Sequence, residues 1–268
     1  MPYELSDGRV RMTAFRLLHL VARRGNSREF PENTLPALRS AIELGARFIE
    51  IDVHVASDGV PMVVRDRALT QVAGFVDMPA AQLAGLDIGP NVGLASGLRE
   101  VRLASLASTL SLLDGRPELT IFVVIGRASA VRYGHEQVVS QIARVLQPFR
   151  SRCVLASLDL PTVHAARGMA GYPIAWMLPA YDDHTRLKYE ALQPEYLFCD
   201  RTYLPRQHAL WRGPWRWVVY EVDTLDLVLE LAQLGADFVV TKDVRSLSES
   251  MRTHAADNLR ARESLRRS

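Results

Sequence analysis

At 268 residues the chain suits one large α/β domain or two small ones, and it is long enough to bury a substantial core. Apolar residues make up 48% and charged residues 23%, an ordinary balance for a soluble globular protein. A formal net charge of +2 gives no footing for a nucleic-acid partner, and no apolar run approaches the length of a membrane span.

From Met1 to Arg16 acids and bases are mixed, without the apolar core of a signal peptide, so the expected compartment is the cytoplasm. Strand-like apolar runs then alternate with amphipathic stretches almost to the end, the pattern of a parallel α/β protein. The runs predict strands at 17–22, 47–55, 61–64, 119–125, 153–157, 174–178, 196–199, 217–222 and 238–241. Helices are predicted at 34–44, 105–113, 136–146, 161–167, 185–192, 205–210 and 225–234, with Asn33 as the first N-cap and Gly45 and Gly235 as helix-ending glycines.

Nine strands are one too many for a closed (β/α)8 barrel, and Asp58-Gly59 supplies the reason. That dipeptide, between two β-rich runs with no room for a helix, predicts a hairpin in which 61–64 folds back on the second strand. The other eight strands can then close a TIM barrel. The aperiodic stretch 66–102 reads as a small insertion after the hairpin, and 248–268 as a polar C-terminal tail, in one domain spanning 1–268. Cys153 and Cys199 make neither a metal spacing nor a disulfide framework. Lys188 and Lys242 are the only lysines, so arginine carries nearly all the positive charge.

Residues two apart in a strand share a face, so Glu50 and Asp52 project together. Near the C-terminal end of a barrel strand they face the mouth where barrel active sites lie. Two inward carboxylates so close raise each other's pKa unless a cation lies between them. Spacing alone leaves a hard divalent ion and a salt-bridge cluster equally open.

Three linked stretches carry a family likeness: Val21-Ala22-Arg23-Arg24-Gly25 with Pro31-Glu32-Asn33-Thr34-Leu35; Ile49-Glu50-Ile51-Asp52-Val53; and Asp58-Gly59 followed by Arg65-Asp66. Their order resembles the glycerophosphodiester phosphodiesterase family, whose pattern runs His-Arg-Gly, Pro-Glu-Asn-Thr, Glu-x-Asp-Val, Asp-Gly, then His-Asp. The resemblance implies a TIM barrel with one histidine as general acid and the other as general base. It also implies a divalent metal that neutralises the phosphate, and an arginine after the first histidine that binds a phosphate oxygen. In this chain the metal pair falls on Glu50 and Asp52 and the phosphate arginine on Arg24.

Arg23 and Arg65 stand at the two histidine positions. Arginine stays protonated at all accessible pH and cannot cycle a proton. The family's third carboxylate, in a Glu-x-Lys pair on the fourth strand, has no counterpart in the uncharged run 119–125. Lys242 follows Thr241 where the family has Asp, and Tyr220 takes the place of a pocket Trp.

The mouth therefore loses carboxylates and gains cations. The expectation is a metal-free arrangement in which Arg23 and Arg65 neutralise Glu50 and Asp52 directly. No cofactor is expected; a metal, if held, would be Mg2+ or Ca2+.

His54 is in phase with Glu50 and Asp52 but is expected half-exposed at the hairpin, and His19 is expected buried in the barrel. His135, His164, His184, His208 and His254 have no partner evident from spacing. Arg28 and Glu32 are candidates to position the loop above the site, with Glu32 pairing to Arg24; Asp66 completes the surrounding shell. The reading is a degenerate phosphodiesterase-like protein that binds at most a small phosphate ester, through Arg23, Arg24 and Arg65. The alternative is an active phosphoric diester hydrolase working by altered chemistry, with Glu50 or Asp52 as base.

Overall fold

A computed structural model describes residues 18–65, 74–87, 101–169, 171–204 and 209–267. Eight parallel strands close on themselves: β1 (His19–Arg23), β2 (Phe48–Val55), β5 (Thr120–Ile125), β6 (Cys153–Ser157), β7 (Ile174–Met177), β8 (Tyr196–Asp200), β9 (Arg216–Tyr220) and β10 (Phe238–Thr241). β10 pairs with β1, and β1 pairs with β2 in the register Arg23↔Glu50, so the ring of eight strands is closed. This is the predicted (β/α)8 barrel.

Two short strands lie outside the barrel count. β3 (Pro61–Val63) runs antiparallel to β2, pairing Val53 with Val63, as the Asp58-Gly59 hairpin signal predicts. β4 (Ala104–Ser105) adds to β3 antiparallel; at two residues it offers no alternation that a sequence reading can detect. Between them the described part of the insertion holds a 3-10 turn at Phe75–Asp77 and the helix α2 (Ala80–Gly85). Leu83, Met62, Val64 and Leu103 form a separate small apolar cluster beneath it. Much of the predicted insertion, Asp66 included, lies outside the described residues.

The first helix, α1 (Leu35–Glu43), corrects one expectation. Its N-cap is Thr34, whose hydroxyl accepts from the Ala37 N–H, and not Asn33. Asn33 is instead turned back by a left-handed backbone, φ 62°. Gly45, at φ 90°, follows the last turn as expected.

Further along lie α3 (Leu106–Leu110), α4 (Arg127–Tyr133), α5 (His135–Leu146), α6 (Leu160–Gly168), α7 (Asp183–Leu192) and α8 (Leu225–Leu234). The sequence pattern missed α4, a short helix between two glycines; 205–208 of the helix predicted at 205–210 lie outside the described residues. The C-terminal segment is a 24-residue helix, α9 (Val244–Arg267), anchored at its start by the buried Val244, Leu247 and Met251. Among the described residues no helix is long and apolar enough to cross a membrane.

The apolar residues divide into two layers. Ile49, Ile51, Val53, Ile121, Val123 and Leu155 face outward against the helices, while Val21, Phe122, Val154, Phe198, Val218 and Phe238 fill the barrel. Inside, Phe122 lies edge-on to Phe198 at 5.1 Å and to Tyr196 at 5.1 Å, and Phe48 to Phe238 at 4.9 Å. This aromatic layer is the floor beneath the mouth, so the interior is a packed core and not a channel. His19 is exposed at the opposite end, tilted against Phe48 and Phe238, rather than buried in the core. It starts its strand where the barrel has not yet closed over it.

Candidate functional site

The loop after β1 is pinned by the backbone on both sides. Arg24 donates its N–H to Glu50 O at 2.9 Å, and Asn33 donates its N–H to Arg24 O at 3.0 Å. Arg24 itself has φ 55° and Gly25 φ 84°. A Cβ at Gly25 would stand 2.5 Å from the Ala37 carbonyl carbon, so only glycine lets this loop close against α1. The result is that Arg24, which follows the strand, turns inward beside Arg23 at the mouth.

Arg24 is 6% exposed and is the hub of the site. Its Nε donates to Asp52 Oδ2 at 2.5 Å, its Nη1 donates to Glu32 at 3.0 Å, and its Nη2 lies 4.0 Å from Glu50. Asn33 clamps Asp52 from the other side, donating its amide to Oδ2 at 2.9 Å and accepting from the Asp52 N–H at 3.0 Å. Burial opposes the Arg24 charge, but Asp52, Glu50 and Glu32 outweigh it and strengthen its hold on the proton. Burial likewise pushes Glu32 up, and Arg24 with Arg65 more than reverses it.

The expected pairing of Arg23 and Arg65 with Glu50 and Asp52 is not what the structure builds. Arg65 Nη1 donates to Glu32 at 3.4 Å. Arg23, although register partner of Glu50, points to Glu221 and lies 5.7 Å from the Tyr220 ring centroid. Arg24 reaches the carboxylates first because its left-handed turn aims it into the barrel, whereas Arg23 extends along the rim.

Glu221, which also meets Lys242 at 3.1 Å, is the functional-site residue that sequence reasoning missed. It follows β9 at φ 65°, and no local pattern marks a glutamate there as inward-facing. Arg28 is exposed; only its backbone N–H reaches the site's rim, donating to Lys242 O at 3.0 Å.

His54 is 2% exposed, not half-exposed. Its ring lies 5.3 Å from Phe75, its Nδ1 is 3.4 Å from Ser129 Oγ, and a Cβ at Gly126 would overlap it. It is thus buried between Phe75 of the insertion and the start of α4. His135, for which spacing gave no partner, contacts Thr162 Oγ1 at 3.0 Å and Asp159 at 3.1 Å. Asp66 and His208 lie outside the described residues.

The donor set does not fit a Mg2+ or Ca2+ ion. Asp52 Oδ2 already accepts from Arg24 and Asn33. On β5 the register partners of Glu50 and Asp52 are Phe122 and Val124, so the neighbouring strand contributes no oxygen. Among the described residues no group of three or more His, Cys, Asp or Glu side chains is placed to hold a metal.

Glu50, 2% exposed, is pushed up to about 7 by burial, with Asp52 adding to the shift and Arg24 and Arg23 opposing it. A carboxyl whose folded pKa is raised favours folding below its unfolded pKa and loses that contribution as pH rises through the folded value. Glu50→Gln should therefore match wild type in urea unfolding near pH 4, below the unfolded carboxyl pKa, and exceed it by about 3 kcal/mol near pH 8. An equal difference at both pH values would show that Glu50 does not titrate in this window.

An eight-stranded parallel barrel with its charged groups gathered at the C-terminal ends of the strands is the architecture of TIM-barrel enzymes. Within that class the chain belongs to the glycerophosphoryl diester phosphodiesterase family, whose model matches residues 24–246. A glycerophosphodiester phosphodiesterase of Caldanaerobacter subterraneus is 28% identical over 155 residues, covering 56% of this chain and 62% of that protein. Glycerophosphodiester phosphodiesterase 1 of Mus musculus is 32% identical over 106 residues, covering 38% and 32%. The chain thus spans less than two thirds of the length of these curated relatives.

Two solved structures share the fold. One is an Oleispira antarctica phosphodiesterase in complex with the product sn-glycerol-3-phosphate, with TM-score 0.73, 18% identity and 88% and 96% of the two chains covered. The other is a glycerophosphodiester phosphodiesterase from Parabacteroides distasonis, with TM-score 0.70, 16% identity and 88% and 98% covered.

Proposed function

We propose that the barrel mouth is a phosphate-ester-binding site that no longer hydrolyses by the family's acid–base route. The observation that carries this is the fate of the two proton-transfer positions: Arg23 and Arg65 occupy them, and each is paired with a carboxylate, Glu221 and Glu32. A guanidinium donates hydrogen bonds to phosphate oxygens but neither accepts nor releases a proton in turnover. The engaged Asp52 Oδ2 and the uncharged β5 face argue against a metal as well.

The relative from Oleispira antarctica, bound to sn-glycerol-3-phosphate, supplies the ligand class. On this reading the protein is a non-hydrolytic relative of glycerophospholipid-metabolising enzymes. Its two buried free thiols, Cys153 and Cys199, both pushed up to about 12 by burial, suit a reducing compartment such as the cytoplasm.

Titration calorimetry with sn-glycerol-3-phosphate should give a saturable site that weakens as salt is raised. No heat at tens of millimolar ligand would leave the mouth without a phosphate role. A second reading, hydrolysis by altered chemistry, is favoured by Glu50 alone: a buried carboxyl pushed up to about 7 can exchange a proton at neutral pH. It requires metal-independent turnover that Glu50→Gln abolishes.

A further inference from the structure

The cations at the mouth differ in how firmly they are held. Arg23, Arg24, Arg65 and Lys242 face Glu32, Glu50, Asp52 and Glu221, four cations against four carboxylates. Arg24 is buried and fixed on Asp52, whose same oxygen Asn33 also holds. A ligand from solution cannot displace that contact without stranding a buried carboxylate. Arg65 shares Glu32 with Arg24 and so is tied into the same cluster.

Arg23 and Lys242 are held by Glu221 instead, and its side chain is 36% exposed. One carboxylate oxygen contacts Arg23 Nη1; the other lies 3.1 Å from Lys242 Nζ. A single anion bridging two cations through separate oxygens is the pattern that two oxygens of a phosphate make. Burial pushes Glu221 up, but Arg23 and Lys242 hold it below the usual carboxylate range, so it stays charged at neutral pH. Its φ of 65° is a left-handed conformation that a non-glycine residue seldom adopts, and such outliers gather at functional positions.

Resting on the phosphate-ester reading, we propose that Glu221 is an internal anion seated in the phosphate subsite formed by Arg23 and Lys242, and that a phosphate ester enters by displacing it. The subsite sits beside the Tyr220 ring, whose centroid lies 5.7 Å from the Arg23 guanidinium. Its ligand is a compact phosphomonoester or diester head group. Rotation of Glu221 into solvent uncovers two positive charges together, while the Arg24 cluster stays assembled beneath them. Glu221 is thus a specificity-determining residue: it sets a threshold that a weaker anion, such as a carboxylate, does not pass.

Glu221→Gln keeps the shape of the side chain and removes its charge. Calorimetric titration with sn-glycerol-3-phosphate should give a Kd about tenfold lower than wild type. Adding Arg23→Gln or Lys242→Gln to that variant should abolish the gain. Glu230→Gln removes the same charge from the exposed face of α8 and should change Kd by less than about twofold. Circular dichroism melts establish that each variant is folded. If Glu221→Gln binds no tighter than a wild type that does bind, or Glu230→Gln gains equally, the displacement mechanism is overturned and phosphate binding stands. If neither wild type nor Glu221→Gln binds the ligand, both fall.

Discussion

Replacing Arg24 by alanine should destabilise the protein by about 3–5 kcal/mol, the range for removing one partner of a buried ion pair. Asp52 would be left in the barrel without its cation, Glu50 would face Arg23 alone, and Glu32 would keep only Arg65. For a chain of this size that loss lowers Tm by on the order of 10 °C. Arg65→Ala sets the scale: Arg65 is 30% exposed and reaches one partner at 3.4 Å, so its loss should cost less than about 1 kcal/mol. Urea unfolding of the two variants side by side checks the ranking. If Arg24→Ala proved as mild as Arg65→Ala, the carboxylates beneath would be hydrated and the hub reading wrong.

Glycerophosphodiesters should be hydrolysed at background rate by the wild-type protein, with or without Mg2+ or Ca2+. Positioned acid–base groups typically contribute roughly 10²–10⁴-fold, and both positions are arginine here. Restoring the histidines, with Arg23→His and Arg65→His together, should still recover little, because the metal donors are deficient as well. The register of β5 identifies where a third carboxylate would go. Phe122 lies beside Glu50 but within the aromatic floor, whereas Val124 lies beside Asp52 nearer the mouth. Val124→Glu added to the two histidines is therefore the combination expected to raise turnover in a metal-dependent way. Turnover of glycerophosphocholine by unmodified protein that depends on a divalent ion would sink the silent-site reading at once.

The barrel was legible because its signals are local and redundant. Every strand that closes the barrel is rich in apolar residues, and Asp58-Gly59 explained the surplus strand. The two-residue β4 and the short α4 were not, since neither carries enough residues to display a period. At the site the sequence supplied nearly all the participants and the Arg24–Glu32 pair, but it mispaired Arg23 and Arg65. Which arginine meets which carboxylate depends on backbone turns: Arg24 at φ 55° swings inward past Arg23. Asn33 looked like a helix cap because it precedes α1, yet its partner is Asp52, nineteen positions along the chain. Glu221 was invisible for the same reason, as its partners Arg23 and Lys242 lie at the end of β1 and just after β10. Long-range charge pairing leaves no periodic trace.

Among the described residues four non-glycine positions have left-handed backbones, and three of them, Arg24, Asn33 and Glu221, stand at the mouth. Each holds its side chain through a fixed turn of the main chain, and the barrel pays the conformational cost during folding. The socket is therefore preorganised. Occupancy asks for Glu221 to leave Arg23 and Lys242 and for side-chain rotamers to settle, at about 0.5–1.5 kcal/mol apiece, while the main chain of 24–33 keeps its turns. Amide hydrogen exchange across 24–33 should thus be as slow in the empty protein as in the filled one, and the heat-capacity change of binding should be small.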